Sequence, residues 1–237
     1  MEREFITYAH RGASEYCPEN TMMSFYTGMK MGANGIETDV RKTKDQVLIL
    51  FHDKTLDRVT NGKGNVSDFT FEEIAKLLVA KQGLVDKIVT LEDFLAHFCF
   101  SDITFAIELK EDGIEKEVLD LVEKYNVQDK VVITAFEFYR IANVKKLNPN
   151  IKVGYLVYEV NDKIISELKS INAEEVCPIG REITADGVKK WHELGFNVRA
   201  WGIVNKKIMK KVYDAGVNGM TANFPDSLLR YISKKTK

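Results

Sequence analysis

The chain has 237 residues, is 45% apolar, and carries 34 basic and 35 acidic residues for a formal charge of -1. That balance excludes a whole-molecule field steering it onto nucleic acid or an anionic membrane and favours a small soluble ligand, while the length suits one domain over 1–237 with a single large core. Met1 to Tyr8 hold no apolar run of signal-peptide length, no stretch approaches the roughly 20 apolar residues of a bilayer span, and Cys17, Cys99 and Cys177 match neither a metal pattern nor a disulfide framework. A cytoplasmic protein with buried thiols and no stable membrane insertion is expected, as a monomer or homodimer.

Taken in chain order, β-branched runs at Phe5-His10, Gly35-Val40, Ile103-Leu109, Val131-Phe136, Lys152-Tyr158, Glu174-Ile179, Asn197-Val204 and Gly219-Phe224 read as strands. Between them, Asn20-Gly32, Ile114-Tyr125, Asp162-Ile171, Thr184-Gly195 and Lys206-Gly216 read as amphipathic helices, several closed by glycine. About eight strand-helix units predict an α/β fold, a closed (β/α)8 barrel of the TIM type, ahead of an open doubly wound sheet. Residues 53–87 break the rhythm and read as a loop insertion after the second strand, with one short helix around Phe71-Leu78.

Catalytic groups in such barrels sit at the C-terminal ends of strands. His10 closes the first run, Glu37 and Asp39 lie late in the second, Glu108 and Lys110 end the third, and Trp201 lies in the seventh. Strand side chains alternate, so Glu37 and Asp39 share one face, as do Glu108 and Lys110. A turn at Lys44-Asp45 would fold the second run back on itself, setting Glu37 opposite His52 and Asp39 opposite Leu50, with Cβ atoms about 5 Å apart. Three carboxylates offer hard oxygen ligands that prefer Mg²⁺ or Ca²⁺ to Zn²⁺, and two histidines supply a proton acceptor and donor for phosphodiester cleavage. Which histidine starts as base is left open. His97 and His192 lack such company and read as structural.

The chain resembles the glycerophosphodiester phosphodiesterases over nearly its whole length, through His-Arg-Gly at 10–12, Pro-Glu-Asn-Thr at 18–21, Glu-Thr-Asp-Val at 37–40, His-Asp at 52–53, Gly-Lys-Gly at 62–64, Thr-Leu-Glu-Asp at 90–93 and Glu-Leu-Lys at 108–110. The resemblance implies a barrel enzyme that hydrolyses glycerophosphodiesters to glycerol 3-phosphate and an alcohol. It implies His10 and His52 as general base and acid, and Glu37, Asp39 and Glu108 as ligands of the cation. Arg11 would contact the phosphoryl oxygens through a forked guanidinium and Lys110 as a point charge, with Trp201 walling the glycerol or head group. Gly202, Ala135 and Asn223 depart from residues common in the family; none is expected to touch the acid-base or metal residues. Competing readings are a phosphodiesterase acting on lysophospholipids, a Schiff-base enzyme using Lys110, and a non-catalytic phosphate-ester binding barrel.

Overall fold

The computed structural model describes residues 5–235. Strand β1 (Ile6–His10) leads through helix α1 (Met22–Lys30) to β2 (Gly35–Lys42), which turns back as β3 (Leu48–Leu50). The excursion carries α2 (Phe71–Ile74) and a hairpin of β4 (Leu78–Lys81) and β5 (Leu84–Lys87), and α3 (Leu91–Phe98) returns the chain to the barrel. Regular alternation follows: β6 (Thr104–Leu109), α4 (Glu115–Lys124), β7 (Val131–Ala135), α5 (Phe138–Leu147), β8 (Lys152–Val157) and α6 (Asp162–Ser170). Then come β9 (Glu175–Pro178), α7 (Ala185–Glu193), β10 (Asn197–Ala200), α8 (Lys206–Asp214), β11 (Gly219–Ala222) and α9 (Pro225–Lys235).

Parallel pairing runs β1-β11-β10-β9-β8-β7-β6-β2 and closes from β2 back to β1, the expected TIM barrel, with β3 antiparallel on β2. Seven of the eight barrel strands lie within the expected runs and β2 continues two residues past Val40, to Lys42; α5 and α9 fill gaps where no helical pattern is read from the sequence. Closure follows from side-chain alternation. Outward residues such as Ile36, Phe105, Ile107, Ile133, Val198 and Met220 join one apolar layer under the helices, leaving the inward positions free to be polar. Side-chain caps start the helices where the sequence supplies Thr or Asn, as at Thr21, Thr90, Asn161, Thr184 and Asn205. Among the described residues no helix is long and apolar enough to cross a membrane.

Two expectations need correction. The insertion holds more than a short helix: α2 is confined to Phe71–Ile74 by a Thr70-Glu73 capping box, and the β4-β5 hairpin follows it. The excursion also has its own apolar cluster, including Ile49, Phe51, Leu56, Val66, Ile74 and Val79. Secondly, the β2-β3 register differs by one residue. Val40 pairs with Leu50, and the Phe51 N–H donates to the Asp39 carbonyl at 2.9 Å, so His52 is not opposite Glu37. The turn takes three residues, with Gln46 in the left-handed region at φ 69° and Thr43 N–H closing onto the Val47 carbonyl at 3.0 Å. A one-residue slip exchanges the two faces of the returning strand.

Candidate active site

The C-terminal ends of the barrel strands open into a cavity of about 650 Å³, and His10, Glu37, His52, Glu108, Lys110 and Trp201 all line it. The β1-α1 turn that shapes its rim depends on Gly12 at φ 79°, where a Cβ would collide with Ser24 of α1. Arg11, the residue before it, is itself left-handed at φ 53°, and its backbone N–H, continuing the β1-β2 pairing, donates to the Glu37 carbonyl (2.9 Å) and to Glu37 Oε2 (3.1 Å).

Adjacent strands β2 and β6 bring Glu37, Asp39 and Glu108 together, with ligand oxygens all within 4.8 Å of one another. All three are buried. Asp39 Oδ2 accepts from Asn20 Nδ2 at 3.0 Å and lies 3.0 Å from Arg11 Nε, whereas its buried Oδ1 has no hydrogen bond, with Lys110 Nζ 3.7 Å away. Lys110 instead donates to Glu108 Oε1 at 2.7 Å. Burial and the charges of Asp39 and Glu108 push the Glu37 carboxyl well above its ordinary value. Glu108 is likewise raised to about 7, by burial and by Asp39, against the pull of Lys110. Burial would raise Asp39 too, but Arg11, Lys110 and His52 outweigh it and hold that carboxylate well below the usual range.

The two histidines are oriented differently. His10 Nδ1 lies 2.5 Å from Asn223 Oδ1, leaving Nε2 facing Glu37 Oε2 at 3.8 Å; burial, then Arg11, lowers its pKa to about 4. His52 reaches the cavity from just beyond β3, and its Nδ1 lies 2.6 Å from Asp53 Oδ1. Burial lowers His52 as well, opposed by the carboxylates of Asp39 and Asp53.

All eight residues expected at the site line the cavity or, for Asp39, lie in the carboxylate cluster beneath it. Arg11 differs in detail: Nη1 donates to Glu19 at 2.9 Å and Nε faces Asp39, so much of its fork is committed to carboxylates. Trp201 joins Phe136 and Tyr158 in a wall of three rings, its centroid 4.9 Å and 5.1 Å from theirs. His97 and His192 do not line the cavity; they lie close to the Asp93 carbonyl and Asn218.

The expectation for Asn223 was wrong. It lies one residue past β11, and because β11 closes onto β1 with Ala222 beside Ala9, the next position falls next to His10. Gly202 has a local cause: at φ 67° its Cβ would approach Ile179 to 2.8 Å, which disfavours a branched residue. Sequence reasoning also passed over Asn20, whose Oδ1 accepts from Thr38 Oγ1 at 2.8 Å while its amide serves Asp39, and the pair Glu19 and Arg58. Arg58 grips Asp53 at 2.6 Å and Glu19 at 2.7 Å, tying the excursion to the β1-α1 turn. Asn20 and Glu19 stood in a quoted motif, whereas nothing local marks Arg58.

The model of the "Glycerophosphoryl diester phosphodiesterase family" matches residues 10–227. A glycerophosphodiester phosphodiesterase of Caldanaerobacter subterraneus subsp. tengcongensis is 33% identical over 97% of this chain and 98% of its own length. The crystal structure of a glycerophosphodiester phosphodiesterase from Thermotoga maritima superposes with a TM-score of 0.80 at 22% identity, covering 98% of this chain and 100% of the other. An Oleispira antarctica phosphodiesterase in complex with the product sn-glycerol-3-phosphate superposes at 0.87, with 23% identity and 96% of each chain covered. A family match spanning every strand-end residue discussed above, together with a full-length relative at this identity, shows that the chain belongs to the glycerophosphoryl diester phosphodiesterase family, a family of phosphoric diester hydrolases.

Proposed function

We propose that this chain hydrolyses glycerophosphodiesters to sn-glycerol 3-phosphate and an alcohol by general acid-base catalysis through a cyclic phosphate, as one catalytic domain in which the excursion contributes His52 and the barrel the rest. The observation that carries the reading is two separately oriented histidines facing a cavity over an oxygen-only cluster of Glu37, Asp39 and Glu108. These residues fit a hard divalent cation, Mg²⁺ or Ca²⁺: the cluster is buried, Asp39 Oδ1 lacks a hydrogen bond, and two of the carboxylates are held above their ordinary pKa by mutual repulsion and burial. When bound, the cation supplies Lewis acidity toward a phosphoryl oxygen and a substrate hydroxyl.

With Asn223 accepting from Nδ1–H, His10 presents a lone pair on Nε2 and suits the base that takes the proton of the glycerol 2-hydroxyl. His52, backed by the Asp53 carboxylate, suits the acid that protonates the leaving alcohol, and water then reverses the two roles. Arg11 and Lys110 stabilise charge on the phosphoryl oxygens, Lys110 as a point charge and Arg11 chiefly through its remaining Nη2. A Schiff-base role for Lys110 loses support because Glu108 and Asp39 raise its pKa, the opposite of what an amine nucleophile needs. The test is release of glycerol 3-phosphate from glycerophosphocholine and glycerophosphoethanolamine with Mg²⁺, Ca²⁺ or chelator, for wild type and His10→Ala. Metal-dependent release lost in His10→Ala is expected. Release only from lysophospholipids would favour the lipid-directed alternative, and ligand binding without turnover would overturn the reading.

A further inference from the structure

A groove of about 350 Å³ adjoins the catalytic cavity, between the excursion and the segments that follow β6 and β7. It shares Arg41, Lys54, Lys110 and Arg140 with the cavity, so the two spaces adjoin across these four side chains. Asn65 and Ser67 line its outer side, and no aliphatic or aromatic residue among those described does so. An acyl chain would find nothing apolar to bury there.

Three of its four cations are already matched. Arg41 donates to Glu111 at 2.9 Å, Arg140 lies 2.7 Å from Asp112 and 2.8 Å from Glu137, and Lys110 lies 2.7 Å from Glu108. Lys54, an exposed residue, enters no ion pair or side-chain hydrogen bond among the described residues; its charge is felt by Asp112 in the same groove, a carboxylate that Arg140 already holds at 2.7 Å. It follows His52 by two residues on the same segment. Under the proposed mechanism the leaving alcohol must lie beside the acid, His52, so the head group departs on the side where Lys54 and the polar groove are.

We propose that this groove receives the leaving head group and that Lys54 selects head groups bearing an additional anionic substituent. The inference rests on the hydrolytic reading above and adds a substrate class to it. A carboxylate or phosphate on the leaving alcohol would gain a charge-assisted contact with Lys54, while the paired Arg41 and Arg140 keep the groove wall in place.

Glycerophosphoserine and glycerophosphoethanolamine differ by one carboxylate and therefore isolate the contact. We expect wild type to show the higher kcat/KM on the serine diester, and Lys54→Ala to lower the serine-to-ethanolamine ratio about five- to tenfold, mainly through KM. Lys54→Glu should bring the ratio below that of Lys54→Ala. An unchanged ratio in both variants would overturn the proposal, as would a wild-type preference for glycerophosphocholine that disappears in Tyr158→Ala, which would assign the head group to the aromatic wall instead. Wild type that hydrolyses none of the three diesters would overturn the underlying hydrolytic reading, a result distinct from equal turnover of all three.

Discussion

At the floor of the barrel Arg199 is 2% exposed, yet it donates through Nε to Glu175 at 2.9 Å, lies 3.4 Å from Cys177 Sγ, and sits over the Tyr8 ring at 5.2 Å. At the mouth of the same lumen three carboxylates crowd against Arg11 and Lys110, one buried oxygen lacks a hydrogen bond, and two of the acids are pushed upward. Both clusters lie in a low-dielectric interior where an unmatched charge costs several kcal/mol, about as much as a small domain's whole margin of stability. The floor has answered that cost from within, by pairing. The mouth has not, and the excess negative charge there is what a bound cation would relieve. Buried charge alone therefore does not mark a site; the shortage of partners does.

The largest expected effect tests the mouth. His10→Ala should lower turnover by about 10²- to 10⁴-fold while leaving the melting temperature near that of wild type. A paired assay and thermal melt decides it, and a variant that loses stability in proportion to activity would make His10 a structural residue. Next in size, Arg199→Met should destabilise the fold by about 3–5 kcal/mol, because Glu175 would be left buried and unpaired. Denaturant unfolding would reveal this; a variant as stable as wild type would erase the contrast between floor and mouth.

Asp53→Asn should lower kcat about tenfold with little change in KM, since the change weakens the support of His52 without touching the cavity's charge cluster. Equal changes in kcat and KM would place Asp53 in substrate binding. The smallest effect concerns linkage. Folded Glu108 holds its proton up to about pH 7, against 4.5 in the unfolded chain, so the folded state binds more protons across that window. The Glu108 contribution to cation-free stability therefore falls as pH rises from about 4.5 to about 7, opposed by His10, whose lowered pKa adds stability as pH rises from about 4 to 6.5, and added Mg²⁺ or Ca²⁺ should raise the melting temperature more at the upper end of the window than at the lower. Glu37→Gln should raise cation-free stability by about 1 kcal/mol and shrink the cation's effect. A cation response independent of pH would separate metal binding from this cluster.

Much of this was legible in the residues. Strands with β-branched alternation, glycine-terminated helices and motif residues at strand ends follow from local periodicity, and a parallel barrel turns strand ends into neighbours whatever their sequence separation. The misses have a common character. The hairpin slipped by one because Lys44-Asp45-Gln46 carries no glycine to mark a three-residue turn, and the left-handed conformation falls on Gln46 instead. Asn223 was set aside because its partner is 213 residues away and only the closure of β11 onto β1 joins them. Arg58, which holds Asp53, reaches Glu19 across 39 positions of chain.

By itself, then, the sequence determined the barrel and which strand-end residues, His10, Glu37, Asp39 and Glu108, reach its open end, because those depend on alternation along single strands, whereas the path of His52 waited on the register of the β2-β3 turn. The tertiary structure decided how each histidine is turned, which cations are already spent on carboxylates, and which of them, Lys54, remains unpaired in the groove. Orientation and charge matching depend on distances between segments remote in the chain, and a few ångströms in a low-dielectric cavity change those energies by more than any local preference can encode.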